Sequence, residues 1–410
     1  MDLKIEFLAS QNWDENMEER LAWLRENEPV YWSDKDQLWV VTSFEDVSYV
    51  SKHQELFTSA AGVRPGSPTK LGLIDEDEPR HTDLRKLINK GFSPRMVKKL
   101  ESVFRDITTE AIDAVAKNGE CDFVSAISVP LPIRLIAAMI GIREEDRDLF
   151  HRWSDEMIAA DGNQSDPEIM QRAHKAFLEY SAYVTQVIED RRKSPQDDLT
   201  SILVGAKDEG LLGDFGGSEL PLREDVSEEH LALANDELIM LMVILMVAGN
   251  ETTRNGISGG MQLLIENPEE RQKLIDDPSR IPAAVEEMMR MVSPVRSFGR
   301  TATQDTELRG KSISKGEKVL IVYPSANRDP KEFADPDRFD VARNPHHLAF
   351  GIGSHFCLGA NLARMEMRVA FEEVLRRLPD MEYSDGGPRL KPSALVRSCM
   401  EMRVRFTPET

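Results

Sequence analysis

Residues 350–359 read FGIGSHFCLG, and a helical pattern over residues 361–378 follows at once, until Pro379 ends it. The three glycines of the stretch permit tight turns and a close backbone approach to a bulky group. A cysteine just before a helix has backbone N–H groups and the positive end of the helix dipole directed towards its sulfur, which favours the thiolate. The sulfur of Cys357 is therefore prepared to act as a soft anionic ligand or as a nucleophile.

Four interpretations of Cys357 compete. It could be a buried structural thiol, or a nucleophile with His355 as its base, although neighbours in sequence rarely face each other. A zinc site could recruit His346, His347 and His355, yet no second pair of ligands follows at the usual spacing. A single axial thiolate on a flat macrocycle accounts for the glycines as well as the sulfur.

The spacing FGxGxHxCxG resembles the haem-binding loop of the cytochrome P-450 family. The resemblance implies that Cys357 is the proximal ligand of haem b (iron protoporphyrin IX), that His355 bonds a haem propionate and that Phe350 packs beside the sulfur. Gly351 and Gly359 would be further cofactor-binding positions. The family's fold is mainly α with minor β structure, a single triangular domain with a long central helix over the haem.

Hydrophobic periodicity independently predicts a mostly helical chain. Helices are expected from Pro94 to residue 118 and over residues 144–159 and 177–188, and strands over residues 38–42, 318–323 and 400–406. Residues 161–164 and 208–226 have the composition of a turn and a loop. No linker or repeat interrupts the pattern, so we expect one domain over residues 1–410, with residues 1–27 as an N-terminal extension.

Residues 238–253 read LIMLMVILMVAGNETT. Such an apolar run usually marks a buried helix, in which Gly249 costs about 1 kcal/mol relative to Ala. The segment resembles the family's AGxETT signature, in which Ala248 and Gly249 leave room for dioxygen while Glu251 and Thr252 pass protons to it. The ordinary alternative for Glu251 is a solvated helix acid.

His81 and Arg85 lie four residues apart and therefore share one helix face, which suits a carboxylate pair. The resemblance implies that they bind haem propionates together with Arg300. The alternative is a basic surface face.

Glu287 and Arg290 lie three residues apart, a pair worth only about 0.2 to 0.5 kcal/mol if exposed. With Arg338 downstream, they resemble the family's buried ExxR network. That network holds the haem loop and takes no part in catalysis.

The activity implied by the resemblance is a monooxygenase that inserts one oxygen atom from O2 into a C–H bond of a lipophilic substrate. Residues 62–65, 119–123 and 152–155 look most like the bacterial branch that oxidises sterol side chains, so the expected order is sterol or steroid, then terpenoid or fatty acid. A non-catalytic haem-thiolate sensor and a peroxide-driven hydroxylase are the alternatives. The expected pocket is mainly apolar and comprises Val63, Leu73, Ile74, Met240, Val243, Ile244, Val247, Val295, Phe298, Leu395 and Val396.

The composition limits the partners. The 51 basic and 72 acidic residues give a net charge of -21, which argues against nucleic acid and anionic membranes. The longest apolar run, residues 238–249, is too short for a hydrocarbon core of about 30 Å, so no membrane anchor is expected. The N-terminus has no secretion pattern, and three scattered cysteines indicate a reducing cytoplasm.

The resemblance also implies two electrons from NAD(P)H, delivered by a separate ferredoxin or flavodoxin and its reductase, because no flavin or iron–sulfur domain is recognisable. An acidic donor would be attracted by a basic patch. The candidate residues for that patch are Arg95, Lys98, Lys99, Arg364 and Arg368.

Overall fold

The computed structural model describes residues 5–66, 70, 72–89, 94–160, 163, 166–208 and 235–410. The fold is mainly α with minor β structure, as predicted. The helices are α1 (Met17–Asn27), α2 (Phe44–Lys52), α3 (Arg80–Asn89), α4 (Pro94–Asp113), α5 (Pro130–Ile140), α6 (Arg147–Ala159), α7 (Pro167–Lys193), α8 (Leu199–Asp208), α9 (Asn235–Glu266), α10 (Pro268–Asp276), α11 (Ile281–Val292), α12 (Tyr323–Ala326) and α13 (Ala360–Arg377). The strands are β1 (Val30–Ser33), β2 (Leu38–Val41), β3 (Phe57–Thr58), β4 (Glu120–Asp122), β5 (Ser297–Ala302), β6 (Thr306–Leu308), β7 (Lys311–Ile313), β8 (Lys318–Val322), β9 (Glu382–Tyr383), β10 (Arg389–Lys391), β11 (Ser398–Glu401) and β12 (Arg403–Arg405).

The chain divides into two compact units, each assembled from segments that are distant in sequence. The first unit comprises Met1–Pro68, Glu101–Pro132 and Glu251–Thr410, and the second comprises Thr69–Leu100 and Ile133–Asn250. The expectation of one domain over residues 1–410 stays a prediction.

The main sheet of the first unit has five strands in the order β1-β2-β8-β5-β3. β2 and β8 run parallel, whereas the other neighbours are antiparallel. Val41, Val319 and Ile321 are buried in a cluster with Phe57 on one side of this sheet. The sheet thereby fixes β5, the strand that carries Arg300.

The predicted N-terminal extension packs into the first unit. Trp13 and Leu24 are buried in a second apolar cluster, together with Val40 of β2 and Leu320 of β8. The indole Nε1 of Trp13 also donates to the Phe7 carbonyl oxygen at 2.7 Å. These residues are therefore part of the hydrophobic core.

The C-terminal half of α9 approaches α11 and α13 closely because it carries glycines at the contact. A Cβ at Gly259 would lie 2.7 Å from Val292 Cγ1, and one at Gly260 would lie 2.6 Å from Phe371 Cζ. Any larger side chain at these two positions would push the helices apart. Neither α9 nor another helix of the described segments has the length and apolar character required to cross a bilayer.

The second unit is built around α6 and α7. The rings of Phe150 and Trp153 lie 6.0 Å and 5.9 Å from that of Tyr180. The Tyr180 hydroxyl donates to the Met242 carbonyl oxygen at 3.0 Å, which attaches α7 to α9. α7 begins at Pro167 because Asp166 caps it by accepting from the N–H groups of the first turn.

Several predicted boundaries move. α4 ends at Asp113 and turns occupy the residues up to 118, α6 begins at Arg147, and α7 is longer than the predicted stretch of residues 177–188. The predicted strand over residues 400–406 is divided at Met402 into two strands: β11 pairs with β10, whereas β12 pairs with β4 and β9. Residues 209–226 of the predicted loop and most of the turn at residues 161–164 lie outside the described residues.

Candidate functional site

The loop before α13 folds back on itself at two glycines. Gly351 and Gly353 have φ angles of +69° and +81°, a region that side-chain-bearing residues rarely adopt. The backbone N–H of Cys357 donates to the Phe350 carbonyl oxygen at 2.8 Å. A Cβ at Gly353 would lie 2.8 Å from the Ser51 carbonyl oxygen, so only glycine fits there. The backbone thus holds Cys357 close to Phe350.

Cys357 differs from the other two cysteines in its exposure. Cys121 is half-buried, Cys399 is buried and Cys357 is exposed. Burial, with a smaller effect of Asp122, raises the pKa of the Cys121 thiol to about 12. Burial also raises the pKa of the Cys399 thiol. These two cysteines therefore remain neutral thiols near neutral pH, and Cys357 is the one that presents its sulfur.

The side chains around Cys357 suit a group that takes a single thiolate from the protein, and they do not fit a zinc site. Within the described segments no three His, Cys, Asp or Glu side chains come together in a way that could hold a metal ion. His347, a candidate zinc ligand, instead lies against Glu286, with 3.2 Å between Nε2 and Oε2. A single sulfur ligand is sufficient only where a macrocycle supplies the remaining ligands.

Arg300 lies in the same unit as the Cys357 loop. It is buried, and its Nη1 donates to the Gly299 carbonyl oxygen at 2.8 Å. Burial raises the pKa of the Tyr323 hydroxyl, and the positive charge of Arg300 partly opposes this. A Cβ at Gly351 would lie 3.9 Å from the Tyr323 hydroxyl oxygen. Tyr323 therefore connects the surroundings of Arg300 with the loop.

His81 and Arg85 lie one turn apart on α3, in the second unit. His81 is buried, with its Nδ1 3.3 Å from Glu78 Oε1. Burial lowers the pKa of His81, although Glu78 partly opposes the shift. The alternative of a basic surface face does not fit His81. The four predicted propionate ligands are divided between the units, with Arg300 and His355 in the first.

Glu251 is not a solvated helix acid. It is 2% exposed, and its Oε1 accepts from the side-chain amide of Asn255 at 2.9 Å. Arg254 Nη2 lies 2.6 Å from Glu251 Oε2. Asn255 Oδ1 in turn accepts from the backbone N–H of Cys399 at 2.8 Å. The carboxylate is thus held from both sides inside the protein.

The residues beside Glu251 on α9 differ in exposure. Ile244, Ala248 and Thr252 share a helix face by their spacing, and they are buried, exposed and half-buried, respectively. Gly249 faces α5, where a Cβ would overlap Ile136 Cδ1. Close packing of two helices therefore gives a structural reason for a glycine in the middle of α9.

Glu287 and Arg290 form the buried pair that their spacing predicts. Both side chains are 0% exposed, and Arg290 Nε donates to Glu287 Oε2 at 2.7 Å. Arg290 Nη1 donates to the carbonyl oxygens of Asn327 and Pro336 at 2.8 and 2.7 Å. The pair therefore joins α11 to the segment that leads into the Cys357 loop.

The third arginine of this network is Arg343 and not Arg338. Arg343 Nε donates to Glu287 Oε1 at 3.0 Å. The Arg338 side chain is exposed, because the turn that starts at Asp335 directs it outward. Arg338 contributes only its carbonyl oxygen, which accepts from Arg343 Nη2 at 3.2 Å.

Sequence reasoning gave no role to Asn327. Its Oδ1 accepts from the backbone N–H of Leu348 at 2.7 Å, and its Nδ2 donates to Ser293 Oγ at 2.8 Å. Its carbonyl oxygen already accepts from Arg290. The only sequence signal was the run Asn327–Pro330, which matches the family's segment before the haem loop.

The predicted substrate residues of the first unit lie together. The Gly299 N–H, next to Phe298, donates to the Val63 carbonyl oxygen at 2.6 Å, and Val295 pairs with Val396 in an antiparallel bridge. Leu395 accepts at 2.8 Å from the N–H group that follows Val295. The remaining candidates lie in the second unit, namely Leu73, Ile74, Met240, Val243, Ile244 and Val247.

Ion pairs with acidic side chains offset part of the charge of the predicted basic patch. Arg368 Nη2 lies 2.8 Å from Glu101 Oε2, and Arg364 bonds Glu286. Lys99 pairs with Asp197. The side chain of Arg95 lies outside the described part of the structure. Donor docking at this patch stays a prediction.

Comparisons with known proteins agree with this geometry. The sequence model of the cytochrome P-450 family matches residues 163–396. A protein named "Steroid C26-monooxygenase" from Mycobacterium tuberculosis is 39% identical over 406 residues, which cover 98% of this chain and 97% of that protein. A "Methyl-branched lipid omega-hydroxylase" from Mycobacterium bovis is 37% identical over 367 residues, which cover 86% of this chain and 80% of that protein.

Solved structures show the same fold. A cytochrome P-450 from Mycobacterium marinum in complex with pseudoionone has a TM-score of 0.86 and 32% identity, and the match covers 99% of both chains. One from Bacillus megaterium in complex with testosterone has a TM-score of 0.83 and 32% identity over 97% of this chain and 100% of that chain. On sequence, fold and the single exposed cysteine together, the chain belongs to the cytochrome P-450 family, as a haem-thiolate monooxygenase that uses haem iron, O2 and redox partners to oxidise lipophilic substrates.

Proposed function

We propose that the protein hydroxylates a steroid, with a methyl-branched lipid as the second candidate, and that the Cys357 thiolate would hold the haem iron. The observation that carries the site is the exposed Cys357 thiol, fixed by its backbone hydrogen bond of 2.8 Å to Phe350. The steroid comes first because the relative named for a steroid is 39% identical over 98% of this chain, whereas the lipid hydroxylase is 37% identical over 86%.

The haem, when bound, supplies the iron at which O2 is activated. Cys357 would hold that iron, and Arg300, His355, His81 and Arg85 would bond the two propionates. Guanidinium and imidazole donors suit this role because a buried carboxylate is costly unless it is paired and hydrogen-bonded. The burial of Arg300 and His81 supports this assignment.

Glu251 and Thr252 are the proposed proton-delivery pair. An ion pair with Arg254 at 2.6 Å and a hydrogen bond from Asn255 at 2.9 Å hold the Glu251 carboxylate in one orientation. The Thr252 hydroxyl follows directly in the chain and can both accept and donate a proton. Glu251 Oε2 would therefore take up the proton and Thr252 Oγ1 would pass it on.

We infer that Val295 and Val396, which an antiparallel bridge brings together, form part of an apolar wall suited to a lipophilic substrate. We infer that the electrons come from NAD(P)H through a separate ferredoxin or flavodoxin with its reductase, and that the protein works in the cytoplasm.

The proposed role of Cys357 as the haem-iron ligand is tested by the absorption of the reduced, carbon-monoxide-treated protein. The wild type should show the long-wavelength band that is characteristic of a thiolate ligand, and Cys357→Ala should lose it. Cys121→Ala is the matched control and should keep the band. A Cys357→Ala protein that keeps the band would refute the proposed ligand.

The substrate class is tested by titrating the ferric protein with a steroid and with a methyl-branched fatty acid while recording the Soret band. We expect a saturable Soret shift at a lower concentration of the steroid than of the branched acid. We also expect more product with redox partners than with peroxide alone. Tighter binding of the branched acid would favour the second candidate.

A further inference from the structure

Glu286 joins three parts of the first unit. It lies in α11, directly before Glu287 of the buried network. Arg364 of α13 donates to it twice, from Nε to Oε1 at 2.7 Å and from Nη2 to Oε2 at 2.8 Å. His347 Nε2 lies 3.2 Å from the same Oε2. We call Glu286, His347, Arg364 and Phe350 the Glu286 cluster.

Phe350 connects this cluster to Cys357. The Arg364 guanidinium lies over the Phe350 ring, 4.6 Å from its centroid. The His347 ring is 5.6 Å from the same ring, which is 7% exposed. The Phe350 carbonyl oxygen accepts from the Cys357 N–H. Phe350 therefore lies between the ion pair and Cys357 in this series of contacts.

The charges of the cluster balance. Burial opposes ionisation of Glu286, but hydrogen bonds from His347 and Arg364 outweigh it and lower the pKa of the Glu286 carboxyl to about 2. The carboxylate is therefore negative at neutral pH and offsets the guanidinium charge. A bidentate pair of this kind also fixes the plane of the guanidinium, and so its stacking on Phe350.

We propose that Glu286 and Arg364 are positioning residues that fix the Phe350 ring and, as a charge-balanced pair, set the electrostatic potential at the Cys357 sulfur. The proposal rests on the proposed ligand role of Cys357. Reduction of the centre adds one electron, so an unbalanced positive charge nearby stabilises the reduced state and an unbalanced negative charge destabilises it.

This role differs measurably from a merely structural one. Loss of packing would shift the reduction potential in the same direction whichever partner is removed. Loss of charge balance predicts opposite shifts, because Glu286→Gln leaves the cation and Arg364→Gln leaves the carboxylate. The sign of the shift therefore separates the two explanations.

The experiment is an equilibrium redox titration of the haem-loaded protein and its variants, with no turnover required. We expect Glu286→Gln to shift the reduction potential to more positive values and Arg364→Gln to shift it to more negative values. Arg364→Lys keeps the cation, so its reduction potential should lie closer to that of the wild type than the potential of Arg364→Gln does. The iron–sulfur stretching frequency, measured by resonance Raman scattering, is the second readout and should move in opposite senses in the two Gln variants.

Arg368→Gln is the matched control. Arg368 lies one turn further along α13 and pairs with Glu101 and Glu372, with 2.8 and 2.9 Å between the bonded atoms. Its ion pairs lead to Glu101 and Glu372 and not to Phe350, so its variant should shift the potential much less. Shifts of the same sign in both Gln variants, or an equal shift in Arg368→Gln, would overturn the proposal. A wild type without the long-wavelength carbon monoxide band would instead refute the ligand role of Cys357.

Discussion

At the scale of single residues, Glu366 is a carboxyl group enclosed by protein. It lies on α13 and is 1% exposed, and its Oε2 makes no hydrogen bond within the part of the chain that the structure describes. Burial raises its pKa well above the ordinary value of 4.5. The folded protein therefore keeps the Glu366 proton at a pH where the unfolded chain has released it.

The pH dependence of stability follows from that difference. Above about pH 4.5 the unfolded chain ionises, so this group lowers the free energy of unfolding by about 1.4 kcal/mol for each pH unit, up to its folded pKa. Glu366→Gln removes this pH-dependent fall in the free energy of unfolding, because glutamine does not ionise. We expect the Tm of the variant to fall less than that of the wild type as the pH rises above about 5, as measured by calorimetry.

Glu286 provides the contrast, because the pKa of its carboxyl group is lowered to about 2. The stability that Glu286 contributes is present above the unfolded value of 4.5 and is lost as the pH falls towards 2. Its variant should therefore flatten the acid side of the profile. A Glu366→Gln profile that is as steep as the wild type above pH 5 would contradict the assignment of a protonated, buried acid.

The third arginine of the buried network gives a second prediction at this scale. Arg343→Ala removes a bond of 3.0 Å to a carboxylate that is 0% exposed, so we expect a loss of about 3 kcal/mol. Arg338→Ala keeps the backbone carbonyl that the network uses and removes only an exposed side chain, so its effect should stay within about 0.5 kcal/mol. Urea unfolding of the two variants compares them directly. Equal losses of unfolding free energy would contradict the choice of Arg343 over Arg338 as the third arginine.

At the scale of elements, the contact between Gly249 of α9 and Ile136 of α5 is testable. Gly249→Ala gains about 1 kcal/mol in helix propensity, but its Cβ overlaps Ile136 Cδ1, and overpacking costs roughly 1 to 3 kcal/mol. We expect a net loss for Gly249→Ala. Ile136→Val removes the overlapping methyl group, so the double variant should be more stable than the sum of the single changes indicates.

A double-mutant cycle of Tm values measures this coupling. Additive effects would show that α9 and α5 adjust freely to an added methyl group. In that case close packing would not explain the glycine, and the family's explanation, space for dioxygen, would stand alone.

Elements defined by local signals could be predicted from the sequence. The stripe over residues 361–378 and Pro379 predict α13 to within one residue at each end, because periodicity and a proline are local. The strand at residues 400–406 was predicted as one element, since alternation continues across Met402. Its division depends on partners far away in sequence, namely β10, β4 and β9.

The candidate site shows the same limit. Cys357 and the pair of Glu287 and Arg290 follow from short motifs. Arg343 could not be found in this way, because it meets Glu287 across 56 residues and no spacing marks the contact. Arg364 meets Glu286 across 78 residues, so its charge was read as surface charge.

At the scale of the whole molecule, the net charge of -21 opposes compaction at neutral pH. Ion pairs act in the other direction, but an exposed pair such as Arg405 and Glu382 contributes about 0 to 1 kcal/mol. Salt weakens both effects, since the Debye length falls from about 30 Å at 0.01 M to about 8 Å at 0.15 M. Because the net repulsion acts over longer distances than the ion pairs, salt weakens the repulsion more than it weakens the pairs.

We therefore expect the Tm at about pH 7.5 to rise with sodium chloride, and the rise to shrink at about pH 5, where carboxyl groups begin to take up protons. Calorimetry at the two pH values measures both effects, and a Tm that falls with salt at the higher pH would mean that the ion pairs outweigh the net repulsion.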